Sequence, residues 1–203
     1  MHLLGILTVV VARWAAADPW QAELAPLLLF SQIVAIAYSR ELALLLSGVV
    51  AMVLALGIGH GMASLLLMAG VPAAAVLQLG RIRSRSKLIH VGLFTGVVAF
   101  LLTVGMGILD NQQLGWELFA RAGGNALWSL VAGFIMTGLL PFIERAFHVL
   151  TDISLLELGD VAHPLLQEVV RRAPSTYNHS IPVGSIAEAA AESIHARGLL
   201  VRV

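Results

Sequence analysis

The sequence predicts an all-α chain: a polytopic transmembrane helical bundle of about six spans, then a short soluble helical tail. Three observations predict it. The 203 residues are 59% hydrophobic and 12% charged, with a mean hydropathy of +0.90, and an ordinary soluble domain carries about twice that charge fraction. Six apolar stretches occupy residues 3–17, 24–38, 42–58, 62–79, 88–109 and 123–143. After Arg145, charge returns together with helical spacing of apolar residues. Residues 1–145 are therefore read as the membrane domain and 146–203 as a cytoplasmic segment.

The first stretch carries two readings. Residues 1–20 are either a span or a signal peptide, in which the apolar run ends in the small residues Ala15-Ala16-Ala17. A signal peptide normally begins with a basic region, and only His2 stands there. The stretches around 24–58 are separated by Ser39, Arg40 and Glu41, which predicts two helices with a tight turn at Arg40-Glu41 rather than one long broken helix. The fifth stretch, 88–109, would be about 33 Å long as a helix, enough to cross a hydrocarbon core of roughly 30 Å.

Orientation follows from the excess of basic residues in cytoplasmic loops. Arg81, Arg83, Arg85 and Lys87 form the densest basic loop and are read as a cytoplasmic anchor, with Arg40 and Arg145 falling on the same side. The opposite loops carry Asp18, Glu23, Asp110, Glu117 and one arginine, Arg121. Arg13 sits near the outer end of the first stretch and is expected to snorkel to the headgroups. The glycines Gly57, Gly59, Gly61, Gly105, Gly107, Gly133 and Gly138, with the spaced pair Gly92 and Gly96, are read as close helix packing. No acidic residue lies mid-span, and His60 and His90 lie near span ends, so the marks of a proton or ion path are missing. The formal net charge of zero offers no basic face for nucleic acid, and the lack of cysteine excludes disulfides and thiolate chemistry.

In the tail, Leu165, Leu166, Val169 and Val170 form one helical stripe, with Pro164 in the first turn and Asp160 or His163 as its cap. Glu168 and Arg172 are spaced as an i,i+4 pair, and Pro174 closes this helix. A second helix is expected over about 176–196, carrying Val183, Ala187, Ala190, Ala191 and Ile194 on one face and stopping at Gly198. Segments this short are marginal alone, so the stripes predict packing on further chain or homodimerisation through these cytoplasmic helices.

From Leu139 onward the residues fall into an ordered pattern. It runs Leu139-Leu140-Pro141, Glu144-Arg145, Phe147, Thr151-Asp152, Leu155-Leu156-Glu157-Leu158 and His163-Pro164-Leu165-Leu166. It continues through Ala173-Pro174, Thr176-Tyr177, His179-Ser180 and Ala187-Glu188-Ala189-Ala190-Ala191-Glu192. This pattern resembles the membrane-bound HD-domain phosphohydrolases, receptor-like proteins with a seven-helix membrane region and an intracellular HD hydrolase. The likeness is good over the last 160 residues or so and poor over the first 20.

The resemblance implies a bacterial inner-membrane protein with its C-terminal segment in the cytoplasm. It implies that the full-length protein hydrolyses a cyclic dinucleotide, cyclic di-AMP, to the linear form, using a divalent metal pair of manganese or iron. In such a pair the metals activate water and clamp the oxygens of an in-line displacement. By position His179 corresponds to the family's first metal ligand, while His163 is read as a helix-start residue and His148 and His195 as surface residues. Three departures stand beside His179: Asn178 replaces a histidine, Ser175 replaces a glycine, and Pro182 either kinks the helix or sits in its first turn. The HD dipeptide and later ligands are absent, so the chain is read as C-terminally truncated. By itself it is expected neither to hold the metal pair stably nor to hydrolyse the nucleotide. Two rival readings stay open: a non-enzymatic membrane sensor whose partner completes the HD fold, and a small transporter.

Overall fold

The computed structural model describes residues 2–17, 23–58, 62–80, 82 and 84–203. These form ten α-helices, no strand appears among the described residues, and the chain divides into two units, Met1–Val149 and Leu150–Val203.

The first unit is a bundle of α1 (His2–Ala17), α2 (Leu24–Ala37), α3 (Arg40–Ile58), α4 (Met62–Leu79), α5 (Arg85–Leu109) and α6 (Trp116–Phe147). Each predicted apolar stretch lies in one of these helices, save that Tyr38 falls just past α2, and α6 extends well past the predicted 123–143 at both ends. Helix α2 lies at the centre and packs on α1, α3, α4 and α6. Its Leu24, Leu27, Phe30 and Val34 meet Ala12 of α1, Ala43, Ala51 and Leu54 of α3, and Met68 and Val76 of α4. Residues 2–17 thus form a helix packed on α2 and α3.

The outside of this unit is as apolar as the inside. Only 33% of each long apolar window, Arg40–Gly57, Arg85–Leu109 and Trp116–Phe147, is buried, and Trp14, Leu45, Leu56, Leu101 and Phe142 stand well exposed. A surface of this kind is stable only where the solvent is hydrocarbon. Three helices are long and apolar enough to cross a bilayer; the apolar parts of α1, α2 and α4 are shorter (Leu4–Ala15, Leu24–Ala37, Ser64–Leu79). The fold is a helical membrane bundle.

Buried hydroxyls confirm that logic residue by residue. In lipid a polar group must find its partner inside the protein. Thr8, Ser31, Ser47, Thr95 and Ser129, with the half-buried Thr137, each donate to a carbonyl three or four residues back in the same helix, at 2.8–3.2 Å. The exception is Gln32, fully buried in α2, whose amide oxygen and nitrogen both lack a partner.

Helices α5 and α6 meet along their backbones. A Cβ added to Gly133 would stand 2.8 Å from the Gly92 Cα and 3.0 Å from the Leu88 carbonyl, and one added to Gly96 would stand 3.0 Å from the Ala126 carbonyl. The Gly92/Gly96 spacing therefore does what small residues do in membrane helices, letting two backbones touch.

The α2–α3 connection departs from expectation. The break falls at Tyr38 and Ser39, and Arg40 and Glu41 already belong to α3. The Ser39 hydroxyl accepts the Leu42 N–H at 3.3 Å, and Glu41 in the first turn suits the positive end of the helix. Arg13 differs too: its guanidinium donates to the Gly57 carbonyl at 3.4 Å, one of the orphan acceptors at the C-terminal end of α3.

The second unit holds α7 (Asp152–Leu158), α8 (Pro164–Arg172), α9 (Pro174–Ser193) and α10 (Gly198–Arg202). Four expectations are corrected there. The expected 176–196 helix runs Pro174–Ser193, and Pro174 opens it rather than only ending α8. Pro182 lies inside α9, eight residues from its start, so the first-turn reading fails. Neither Asp160 nor His163 caps α8 by its side chain; the Asp160 carboxylate accepts the Ala162 N–H at 2.8 Å, shaping the turn before the helix. Gly198 begins α10 instead of stopping α9. Helix α9 ends at Ser193, and just past it His195 adopts a left-handed φ of 59° while the Ala196 N–H bonds the Ala191 carbonyl at 2.9 Å. Gly198 is needed for proximity, since a Cβ there would stand 2.9 Å from the Glu188 carbonyl.

The Glu168 carboxylate takes both Arg171, at 2.6 Å, and Arg172. This unit buries only two apolar residues, Leu155 and Ala191, and none of α8.

Candidate functional site

Residues singled out from the sequence fall into two groups, one in each unit. His179 stands in α9, five residues after Pro174, and is exposed. On a helix its neighbours along the same face are three and four residues away. Those are Ser175, Thr176, Pro182 and Val183, none of them a metal ligand of the usual kinds. No group of three or more His, Cys, Asp or Glu able to hold an ion occurs among the described residues. The residues present do not by themselves fit a divalent metal pair.

The other histidines have backbone roles. His163 precedes Pro164 in an extended conformation at the start of α8. His148 and His195 are left-handed helix stops: His148 has φ 52°, and the Val149 N–H reaches the Glu144 carbonyl at 3.1 Å. In the bundle, the exposed His90 ring shares a hydrogen bond with the Ser86 carbonyl at 2.7 Å.

The basic group lies at one end of the bundle. Arg81 and Arg83 fall outside the described residues, as do His60, Gly59, Gly61 and Asp18. Arg85 is the first residue of α5 and Lys87 lies in its first turn. The Lys87 Nζ and, from far away in sequence, the Arg40 Nη2 both lie beside Gly80, which has a φ of +46°. The same end gathers the last turn of α6, where Phe147 packs edge-on against Tyr38 with ring centroids 5.9 Å apart. Arg145 belongs to that turn and suits its negative dipole end. Arg40, Arg85, Lys87 and Arg145 thus share one end of the helices.

Two interactions had no signal in the sequence. Arg197 donates to the Leu150 carbonyl at 3.1 Å and to the nearly buried Asp152 carboxylate at 3.3 Å, tying the segment after α9 to the start of α7. Arg202 reaches Glu188 at 3.0 Å, tying α10 to α9. Both link residues 14 to 47 positions apart, beyond any local pattern.

Comparison with known proteins places the chain. The family described as 7TM receptor with intracellular HD hydrolase matches residues 1–151. The match begins at residue 1, so the first 20 residues resemble the family better than expected, and it stops short of His179. Among curated proteins, the chain is 37% identical over 135 residues to the cyclic-di-AMP phosphodiesterase PgpH of Bacillus subtilis, covering 64% of this chain and 18% of that protein. It is 34% identical over 132 residues to PgpH of Listeria monocytogenes, covering 64% of this chain and 18% of that protein. The chain thus spans less than a fifth of the length of these relatives. No solved structure matches it.

Proposed function

We propose a function from one premise: this chain belongs to the family of 7TM receptors with intracellular HD hydrolase. It is the membrane, signal-transmitting part of a metal-dependent phosphohydrolase that, when whole, opens cyclic di-AMP to the linear dinucleotide. The observation that carries this reading is the match over residues 1–151 together with relatives named as cyclic-di-AMP phosphodiesterases. On this reading all six helices of the bundle cross the bacterial inner membrane. The end that holds Arg40, Arg85, Lys87 and Arg145 faces the cytoplasm, in keeping with the excess of basic residues there.

Residues 146–203 are then the linker and the opening helices of the HD domain. Their nearly coreless packing supports that reading, because α8 and α9 leave Leu165, Ile186 and Ile194 70% or more exposed and await further chain or a second copy. His179 supplies one ligand to the metal pair, manganese or iron, of a complete HD domain. The 203 residues alone do not hydrolyse the nucleotide.

The test uses the protein encoded by the complete native reading frame, in membranes, with manganese and cyclic di-AMP. Linear dinucleotide should form, and His179→Ala should abolish it while leaving the protein in the membrane. Absence of turnover by the wild-type frame, or full turnover by His179→Ala, overturns the reading. A protease-accessibility assay on sealed inner-membrane vesicles checks the cytoplasmic position of the tail.

A further inference from the structure

We propose that movement of the chain leaving α6 enters the second unit at the far end of α9, through Arg197, and bypasses α8. In sequence the route from α6 to α9 runs through α7, the turn over 159–163 and α8. That route is loosely held. Residues 159–162 are exposed, α8 buries no residue, and prolines 164 and 174 mark the starts of α8 and α9. A segment with so few buried apolar contacts opens locally at little cost, so a pull along it is absorbed.

A second route is short and stiff. Leu150 stands three residues past Phe147, the last residue of α6, and its carbonyl accepts from the Arg197 guanidinium at 3.1 Å. The same guanidinium nitrogen reaches the nearly buried carboxylate of Asp152, the first residue of α7, at 3.3 Å. A charged donor held by a carbonyl and a carboxylate together is fixed in direction as well as distance. Arg197 also starts α10, since its carbonyl accepts the Leu200 and Val201 N–H groups at 3.2 and 3.4 Å. Helix α10 packs on both α7 and α9. Gly198 brings it so close to α9 that a Cβ would stand 2.9 Å from the Glu188 carbonyl, and Arg202 pairs with the Glu188 carboxylate at 3.0 Å. The two apolar residues this unit buries, Leu155 and Ala191, belong to the two helices that this route joins. Coupling between distant positions needs such a packed and hydrogen-bonded path. Helix α9 then carries a displacement back toward His179, about 21 Å from Ser193 along the helix. Arg197 acts here as a positioning residue. The tie rests on this geometry alone, and its effect on turnover rests on the hydrolase reading.

The experiment uses the 203-residue chain in nanodiscs. The chain has no cysteine, so spin labels can be placed on Leu156→Cys in α7 and Ala189→Cys in α9, both exposed positions. Pulsed electron double resonance should give one narrow distance distribution. Arg197→Gln should broaden it about twofold at unchanged helicity, as local opening does, and Arg197→Lys should restore it. A glycine triplet inserted after Asp160, which lengthens the route through α8, should leave the distribution as it was. An unchanged distribution in Arg197→Gln, or a broadened one in the insertion variant, overturns the proposal. In the protein of the complete native reading frame, in membranes, Arg197→Gln should lower turnover roughly fivefold and the insertion less than about twofold, the range that coupling residues command. Equal losses in the two variants overturn the bypass. A wild type without turnover speaks against the hydrolase reading alone, and the label distances still decide the tie.

Discussion

Replacing Gln32 should make the bundle more stable. The side chain is fully buried in the central helix, and both its amide oxygen and nitrogen lack a partner. A buried polar group left unsatisfied costs about 1–3 kcal/mol. The penalty is reduced in a membrane protein because the unfolded chain in lipid finds some partners too. Methionine keeps the unbranched stem and removes the unsatisfied amide, with roughly 1 kcal/mol lost to the slightly larger tip. Gln32→Met should therefore gain about 1 kcal/mol, and Gln32→Leu somewhat less. Gln32→Ala would give back the gain by leaving a cavity. Reversible denaturation in mixed detergent micelles, followed by circular dichroism, measures the difference. A loss of 1 kcal/mol or more in Gln32→Met would refute the reasoning. It would mean that the amide holds a partner, such as an ordered water with several hydrogen bonds.

Gly133→Ala should destabilise the bundle by about 2 kcal/mol or more, since its Cβ would press on the Gly92 Cα and the Leu88 carbonyl, and backbone cannot swing away; the same micelle denaturation reads it. Gly198→Ala should detach α10 from α9, because the new methyl would meet the Glu188 carbonyl at 2.9 Å; hydrogen exchange at residues 198–202 should accelerate at least tenfold while α5 and α6 stay protected. His195→Gly should stabilise the end of α9 by about 1 kcal/mol, relieving a side chain held at φ 59°, and the gain should appear as slower exchange at Ala196. Arg197→Ala should cost about 1 kcal/mol by removing one partner of Asp152 and a donor to the Leu150 carbonyl, seen as earlier thermal loss of helicity.

Much of the bundle was legible because lipid imposes long uninterrupted apolar runs, and such runs are written plainly in the order of residues. Helix ends were less legible. Asn111, His148 and His195 all take left-handed conformations that glycine usually supplies, so a search for glycine stops missed them and misread Gly198. That glycine answers to the Glu188 carbonyl, a contact made only after α10 folds back. Gly92 was read correctly as a packing residue, but its partner on α6 had no local signature. Gln32 drew no attention since one glutamine among apolar residues shows nothing of whether its amide finds a partner. At the candidate sites, His179 is singled out only by the resemblance of the motif around it, and its exposure on α9 was not foreseeable from that motif. The meeting of Arg40 with Lys87 arises from three helices packing at one end, and 47 residues separate the two in the chain.

The seam between α5 and α6 also bears on motion. Where main chain lies flat on main chain, as at Gly92 and Gly133, no side-chain teeth interlock. Such a contact resists being pulled apart more than it resists shear, so it works as a bearing. Helix α6 runs unbroken for 32 residues, about 48 Å, well over the thickness of the hydrocarbon slab. Away from those glycines the seam is keyed by Asn125, which donates to the Thr103 hydroxyl at 3.0 Å, and by Phe100 against Phe119, and Pro141 interrupts the hydrogen-bond ladder of α6, so easy sliding is confined to the stretch around Gly92 and Gly133.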